Sequence, residues 1–181
     1  MAKTCIARRA AQTQVIDQQT EPDRAAEIER MQQLLIKQEA DEQRRVNDAM
    51  PKFVAEKLVL SLVRSKVELQ NAKILVLGVT FKENCPDIRN SKVIEVIKKL
   101  QGYGLHIDII DPQASSDELF AKEGLEISNR FDGKYHGIIL AVDHHDFKKY
   151  SASFLRSHLI ENGKLFDLKN MFPIDEVDIR L

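Results

Sequence analysis

Residues Ile74-Leu75-Val76-Leu77-Gly78-Val79 form an unbroken apolar run. A strand with one face in water alternates apolar and polar side chains, so a run without alternation calls for a strand covered on both faces, as in a parallel sheet between helices. The next hundred residues meet that demand. Ser91 to Gln101 sets Val93, Ile94, Val96, Ile97 and Leu100 on one helical face, and Gly102 or Gly104 ends the helix. His106 to Asp111 reads as a second strand stopped by Pro112. Ser115 with Glu118 forms a capping box that opens a short helix to Gly124. Leu125 to Ser128 reads as a brief strand, Gly137 to Val142 as a strong one, Ser151 to Ile160 as a helix and Lys164 to Leu168 as a last strand. Strands alternating with helices at this spacing predict an α/β fold with a doubly wound, mainly parallel Rossmann-like sheet.

The chain before this pattern is of another character. From Met1 to Arg45 there is no glycine and no aromatic residue, and eight Lys/Arg balance eight Asp/Glu. Ile28, Met31 and Leu35 follow helical spacing after a start at Thr20-Glu21-Pro22-Asp23, but the stripe is narrow, which predicts a solvated helical or disordered arm over residues 1–43. A second helix is expected from Pro51, in its first turn, to Ser65, with Phe53, Val54, Leu58 and Leu62 on its apolar side. Residues 44–70 then read as the end of a helical linker and 71–181 as the α/β domain.

Composition excludes several classes. A net charge of −1 gives no field for nucleic acid or an anionic membrane surface. No apolar run approaches the roughly 20 residues that span a bilayer. The first eleven residues lack the apolar stretch of a secretory signal, and Cys5 and Cys85 fit neither a metal site nor a disulfide framework. A reducing cytoplasm is the expected compartment.

In an open parallel sheet, ligands sit beyond the carboxyl ends of the strands, near the point where strand order reverses. Here the first strand runs into Thr80 to Asn90, the strong Gly137–Val142 strand into Asp143-His144-His145-Asp146, and the last into Lys169-Asn170. These loops would gather Lys82, Arg89, His144, His145 and Lys169 on one edge, where the next helix adds its N-terminal amides. Such an edge suits a diphosphate. The first loop holds only Gly78 and no G-x-G-x-x-G, so binding would rest on side chains rather than on close backbone approach. Spacing alone leaves open that Lys82 and Arg89 are merely solvated and that Asp87 caps the turn.

Gly78-Val79-Thr80-Phe81-Lys82, continuing through Asp87-Ile88-Arg89-Asn90-Ser91, resembles the G-x-x-F-K-x-x-x-x-D-x-R-x-S signature of the UDP-glucose/GDP-mannose dehydrogenase family, C-terminal domain. The likeness extends through Ile110-Asp111-Pro112, Ile138 to Val142 and Phe166-Asp167-Leu168-Lys169, and upstream to Arg45-Val46-Asn47-Asp48-Ala49-Met50. It implies that Phe81 and Lys82 contact a UDP-sugar, that Lys169 stands where many members carry an arginine against it, and that Arg89 reaches an NAD held on another domain. Asp87 and His144 would lie at the edge of the site. The resemblance further implies NAD-dependent 6-oxidation of a UDP-sugar, most like the UDP-N-acetylhexosamine members, yielding UDP-uronic acids for surface polysaccharide, in a homo-oligomer. The family's G-G-x-C nucleophile motif and glycine fingerprint do not occur in this sequence, so no catalytic residue is assigned, and Cys85 reads as a structural thiol. The chain is therefore expected to be a truncated UDP-sugar-binding portion, inactive alone. Alternatively it is a non-enzymatic remnant, or half of a split enzyme whose partner is a separate N-terminal half. Asp143-His144-His145 also echoes the Asp-His-His motif of metal-dependent phosphoesterases, but such a site needs further aspartates where this chain has Phe81-Lys82.

Overall fold

A computed structural model describes the backbone of residues 2–181 and the side chains of residues 24–181. Two compact units emerge, Met1–Asp48 and Ala49–Leu181. A single helix, α1 (Ala2–Arg64), runs without interruption through both expected helices, so Pro51 lies inside it rather than in a first turn. The expected boundary at residue 43 also falls within it. The start placed at Thr20 to Asp23 falls among residues whose side chains are not described. Residues 24–48 are exposed throughout.

In the second unit the elements are β1 (Lys73–Leu77), α2 (Lys92–Gly102), β2 (His106–Ile110), α3 (Ser116–Glu123), β3 (Tyr135–Leu140), α4 (Ala152–Ser157), β4 (Leu159–Asp167) and β5 (Ile179–Arg180), with 3₁₀ turns at His145–Lys149 and Ile174–Glu176. The strands form one sheet in the order β2-β1-β3-β4-β5, and every neighbouring pair is parallel. Because β2 lies on one side of β1 and β3 on the other, strand order reverses at the β1/β3 seam.

The apolar run is covered on both faces. Ile74 and Val76 pack with Ile139 and Phe166, under α2 (Ile94, Ile97, Leu100) and the last turns of α1 (Val54, Leu58, Leu62). Leu75 and Leu77 point the other way and join Ile138, Leu140 and Leu165 beneath Phe147 and Leu155. Each fully buried aliphatic side chain contributes roughly 1.5–3 kcal/mol, so the two layers hold the sheet from either side. Of the expected capping box the serine half forms, Ser115 Oγ accepting from Glu118 N at 3.3 Å, while the Glu118 carboxylate pairs with Lys122 Nζ at 2.6 Å instead; Gly124 closes α3 at φ 68°.

Several elements differ from expectation. The Leu125–Ser128 strand reduces to a single bridge between Ile109 and Ile127 at the sheet edge. The helix expected to Ile160 ends at Ser157, because Leu159 pairs with Tyr135 and opens β4 five residues before Lys164. The two-residue β5, held by the Phe166 and Ile179 pairing, is too short to leave an alternating pattern.

Candidate site at the carboxyl edge of the sheet

Since β1, β3 and β4 are parallel and consecutive in the sheet, the loops that follow them emerge on one edge. With strands about 4.8 Å apart, the ends of β1 and β4 stand roughly 10 Å from one another. Lys82 and Lys169 therefore project from the same edge, on either side of β3, and both are exposed.

Gly78 begins the first loop at φ 89°, a conformation that side chains disfavour. A Cβ there would lie 2.5 Å from Val142 Cβ, so glycine lets the ends of β1 and β3 close together. The chain then folds back: Phe81 N donates to Asp87 O at 2.8 Å. Phe81 is half exposed, with Lys82 Nζ 5.4 Å from its ring centroid. Arg89 donates from Nε and Nη2 to the two oxygens of Asp87 at 2.9 and 2.8 Å. That fork, reinforced by the Arg89 backbone N–H, holds the Asp87 carboxyl down at about 2. The Arg89 side chain remains 73% exposed.

Beneath the loop lies a buried polar cluster that spacing did not reveal. Asp111, at the end of β2, accepts from Val79 N at 2.6 Å and Thr80 N at 3.2 Å through Oδ2, and from Gln113 N and Ala114 N at 2.8 and 2.9 Å through Oδ1. Burial pushes this carboxyl up, but the His144 hydrogen bond and these N–H groups outweigh it, and the net shift is downward. His144 is fully buried, with Nε2 3.2 Å from Asp111 Oδ2 and 3.1 Å from Thr80 Oγ1, and Nδ1 2.9 Å from Asn84 N. Asn84 Oδ1 in turn accepts from His145 N at 2.9 Å. A carboxylate directly before proline at a strand end (Asp111-Pro112) was the visible hint of this hub.

Asp167 does the same for the loop after β4. It is fully buried and accepts from Lys169 N and Phe172 N, both at 3.0 Å. Between that loop and the end of β3 is a cleft of about 400 Å³ lined by Asp143, Phe147, Lys148, Tyr150, Asn170, Met171 and Phe172. Asp143 Oδ1 is buried there without a hydrogen-bond partner among the described residues.

The Asp143-His144-His145 echo of a metal site does not survive this geometry, because both ring nitrogens of His144 are occupied within the protein. Among the described residues, no group of three His, Cys, Asp or Glu side chains is placed to hold a metal ion. Nor, among them, is any helix long and apolar enough to cross a membrane.

A doubly wound parallel sheet with exposed cations flanking its carboxyl edge belongs to the α/β domains that bind ligands at a switch point. The sequence pattern of the UDP-glucose/GDP-mannose dehydrogenase family, UDP binding domain, matches residues 75–174, and the chain belongs to that family. It is 37% identical over 139 residues to the UDP-N-acetyl-D-glucosamine 6-dehydrogenase of Pseudomonas aeruginosa, covering 76% of this chain and 33% of that protein. Protein CapL of Staphylococcus aureus is 36% identical over 138 residues, covering 75% and 32%. Among solved structures, NDP-N-acetyl-D-galactosaminuronic acid dehydrogenase from Methanosarcina mazei superposes with a TM-score of 0.65 at 22% identity, over 74% of this chain and 28% of that one, a likeness of fold. The chain thus spans about a third of the length of the curated relatives it matches.

Proposed function

We propose that the carboxyl edge binds the diphosphate of a UDP-sugar as the substrate-holding part of an NAD-dependent 6-dehydrogenase. The observation that carries this reading is the shared edge: parallel β1, β3 and β4 bring Phe81, Lys82 and Lys169 to one rim. In this arrangement Lys82 and Lys169 neutralise phosphate oxygens from either side of β3, and Phe81 offers an aromatic face to the base or sugar. Lys169 supplies charge without the bidentate fork an arginine would give. The name of the relative from Pseudomonas aeruginosa favours a UDP-N-acetylhexosamine as the sugar nucleotide.

NAD, when bound, supplies the hydride acceptor. The residues here do not form a dinucleotide cradle, since β1 runs into a single glycine and then Val79-Thr80-Phe81. Arg89 fits a narrower role: its guanidinium, held by Asp87 and exposed outward, offers one cation to a dinucleotide carried on another domain. The oxidation also calls for a nucleophilic thiol in a Gly-Gly-x-Cys setting, and no such motif occurs in these 181 residues. Residues 1–43, 44–70 and 71–181 then serve as arm, linker and binding domain, and the chemistry is completed by a dehydrogenase half on the same polypeptide or a separate one.

Calorimetry with UDP tests the reading. Wild type should bind, and Lys82→Glu should weaken binding at least roughly tenfold, because a favourable charge contact becomes a repulsive one. Equal affinity of the two proteins would remove Lys82 from the site. Assayed alone with UDP-sugars and NAD, the chain should give no NADH absorbance; turnover that survives Cys85→Ala would refute the account of the missing thiol.

A further inference from the structure

We infer that His144 is a positioning residue: its imidazole clamps the backbone of Lys82 from both sides and so sets where the Lys82 ammonium stands at the nucleotide site. This rests on the UDP-binding reading above. The proton assignment follows from the partners. Asn84 N–H can only donate, so Nδ1 must present its lone pair. Thr80 Oγ1 donates its proton to Lys82 O at 3.0 Å, so it must accept from Nε2–H, which it shares with the Asp111 carboxylate. The imidazole is thus the neutral Nε2–H tautomer, and every member of the network has a partner of the right polarity. Seen from Lys82, the carbonyl is held through Thr80 to Nε2, and the amide two residues on is held directly by Nδ1. The left-handed turn at Asn84 (φ 55°) directs that N–H at the ring, and the Asn84 side chain ties the same segment to His145.

Packing supports the assignment. The ring is 0% exposed, lies edge-on to Phe147 at 5.4 Å, and sits between the ends of β1, β2 and β3. The titratable group facing it is Asp111, and a second ring proton would set Nδ1–H against Asn84 N–H, two donors with no acceptor between them. Lys82 itself is exposed, and its ammonium stands 5.4 Å from the centre of the Phe81 ring. Its position at the rim therefore depends on how firmly its backbone is held.

Two substitutions divide the clamp. Asparagine places a carbonyl oxygen near Nδ1, and glutamine places an amide N–H near Nε2. His144→Gln should keep the Asp111 and Thr80 contacts but lose Asn84 N–H. Its Asn84 amide should exchange with solvent roughly tenfold faster, and its UDP affinity should fall roughly five- to tenfold, the usual effect of one hydrogen bond. His144→Asn should lose both the Asp111 and the Thr80 contacts of Nε2, but Thr80 Oγ1 still donates to Lys82 O and Asn84 N–H keeps an acceptor, so Asn84 protection and most of the UDP affinity should remain. A purely structural histidine would instead give two variants that lose stability and bind UDP alike, and that result would overturn the proposal. If wild type fails to bind UDP, the nucleotide reading falls while Asn84 exchange still decides the clamp, with unchanged exchange in His144→Gln refuting it.

Discussion

Replacing Gly78 by alanine strikes the point where β1 and β3 meet, and the structure lets its cost be divided. At φ 89° a non-glycine residue incurs about 1–2 kcal/mol of backbone strain. The added Cβ would also sit 2.5 Å from Val142 Cβ and 3.0 Å from Val142 N. Neither neighbour is a flexible tip, so relief requires backbone to move, which in a packed core costs about 1–3 kcal/mol more. Gly78→Ala should therefore destabilise by roughly 2–5 kcal/mol, a large part of the roughly 5–15 kcal/mol typical of a domain. Gly104 supplies the control: its φ is 83°, but nothing lies within 4 Å of where its added methyl would stand, so Gly104→Ala should carry the strain alone. Urea unfolding of the full chain followed by circular dichroism measures both, with slopes of about 1–3 kcal/mol per molar converting midpoints to energies. If the two variants fall within about 0.5 kcal/mol of each other, the close approach of β1 and β3 at Gly78 is not what the residue provides.

The buried groups give two further expected outcomes. Asp111→Asn should destabilise by about 2–5 kcal/mol at neutral pH, because an amide cannot receive four backbone N–H groups and the His144 proton as a carboxylate does. The folded Asp111 carboxyl lies below the ordinary value of about 3.9, so its contribution is complete above that pH and declines as pH falls from there toward the lower folded value. The stability gap between wild type and variant, read by urea titration, should narrow on acidification, and a gap that widens would contradict the assignment. Leu58→Ala, at a fully buried position where α1 meets the sheet, should lower stability by about 2–5 kcal/mol in thermal unfolding, without altering UDP affinity by calorimetry.

What the residues determined by themselves is the scaffold and the side of it that matters. A run such as Ile74 to Leu77 has no polar alternative, so burial on both faces was legible from the chain, as were the capping serine at Ser115 and the lysines after β1 and β4. Local order of this kind is written in neighbouring residues. Where a partner lies far along the chain, the sequence is silent. Leu159 leaves a helical pattern because Tyr135 offers it a ladder, and β5 exists only because Phe166 receives Ile179. The loop under Lys82 takes its shape from Asp111 and His144, 29 and 62 positions away by their numbers, and their hydrogen bonds leave no periodicity to read. Spacing could put Lys82 and Lys169 on one edge; only the packing of three strand ends, around one buried imidazole and two buried carboxylates, decided how that edge is held.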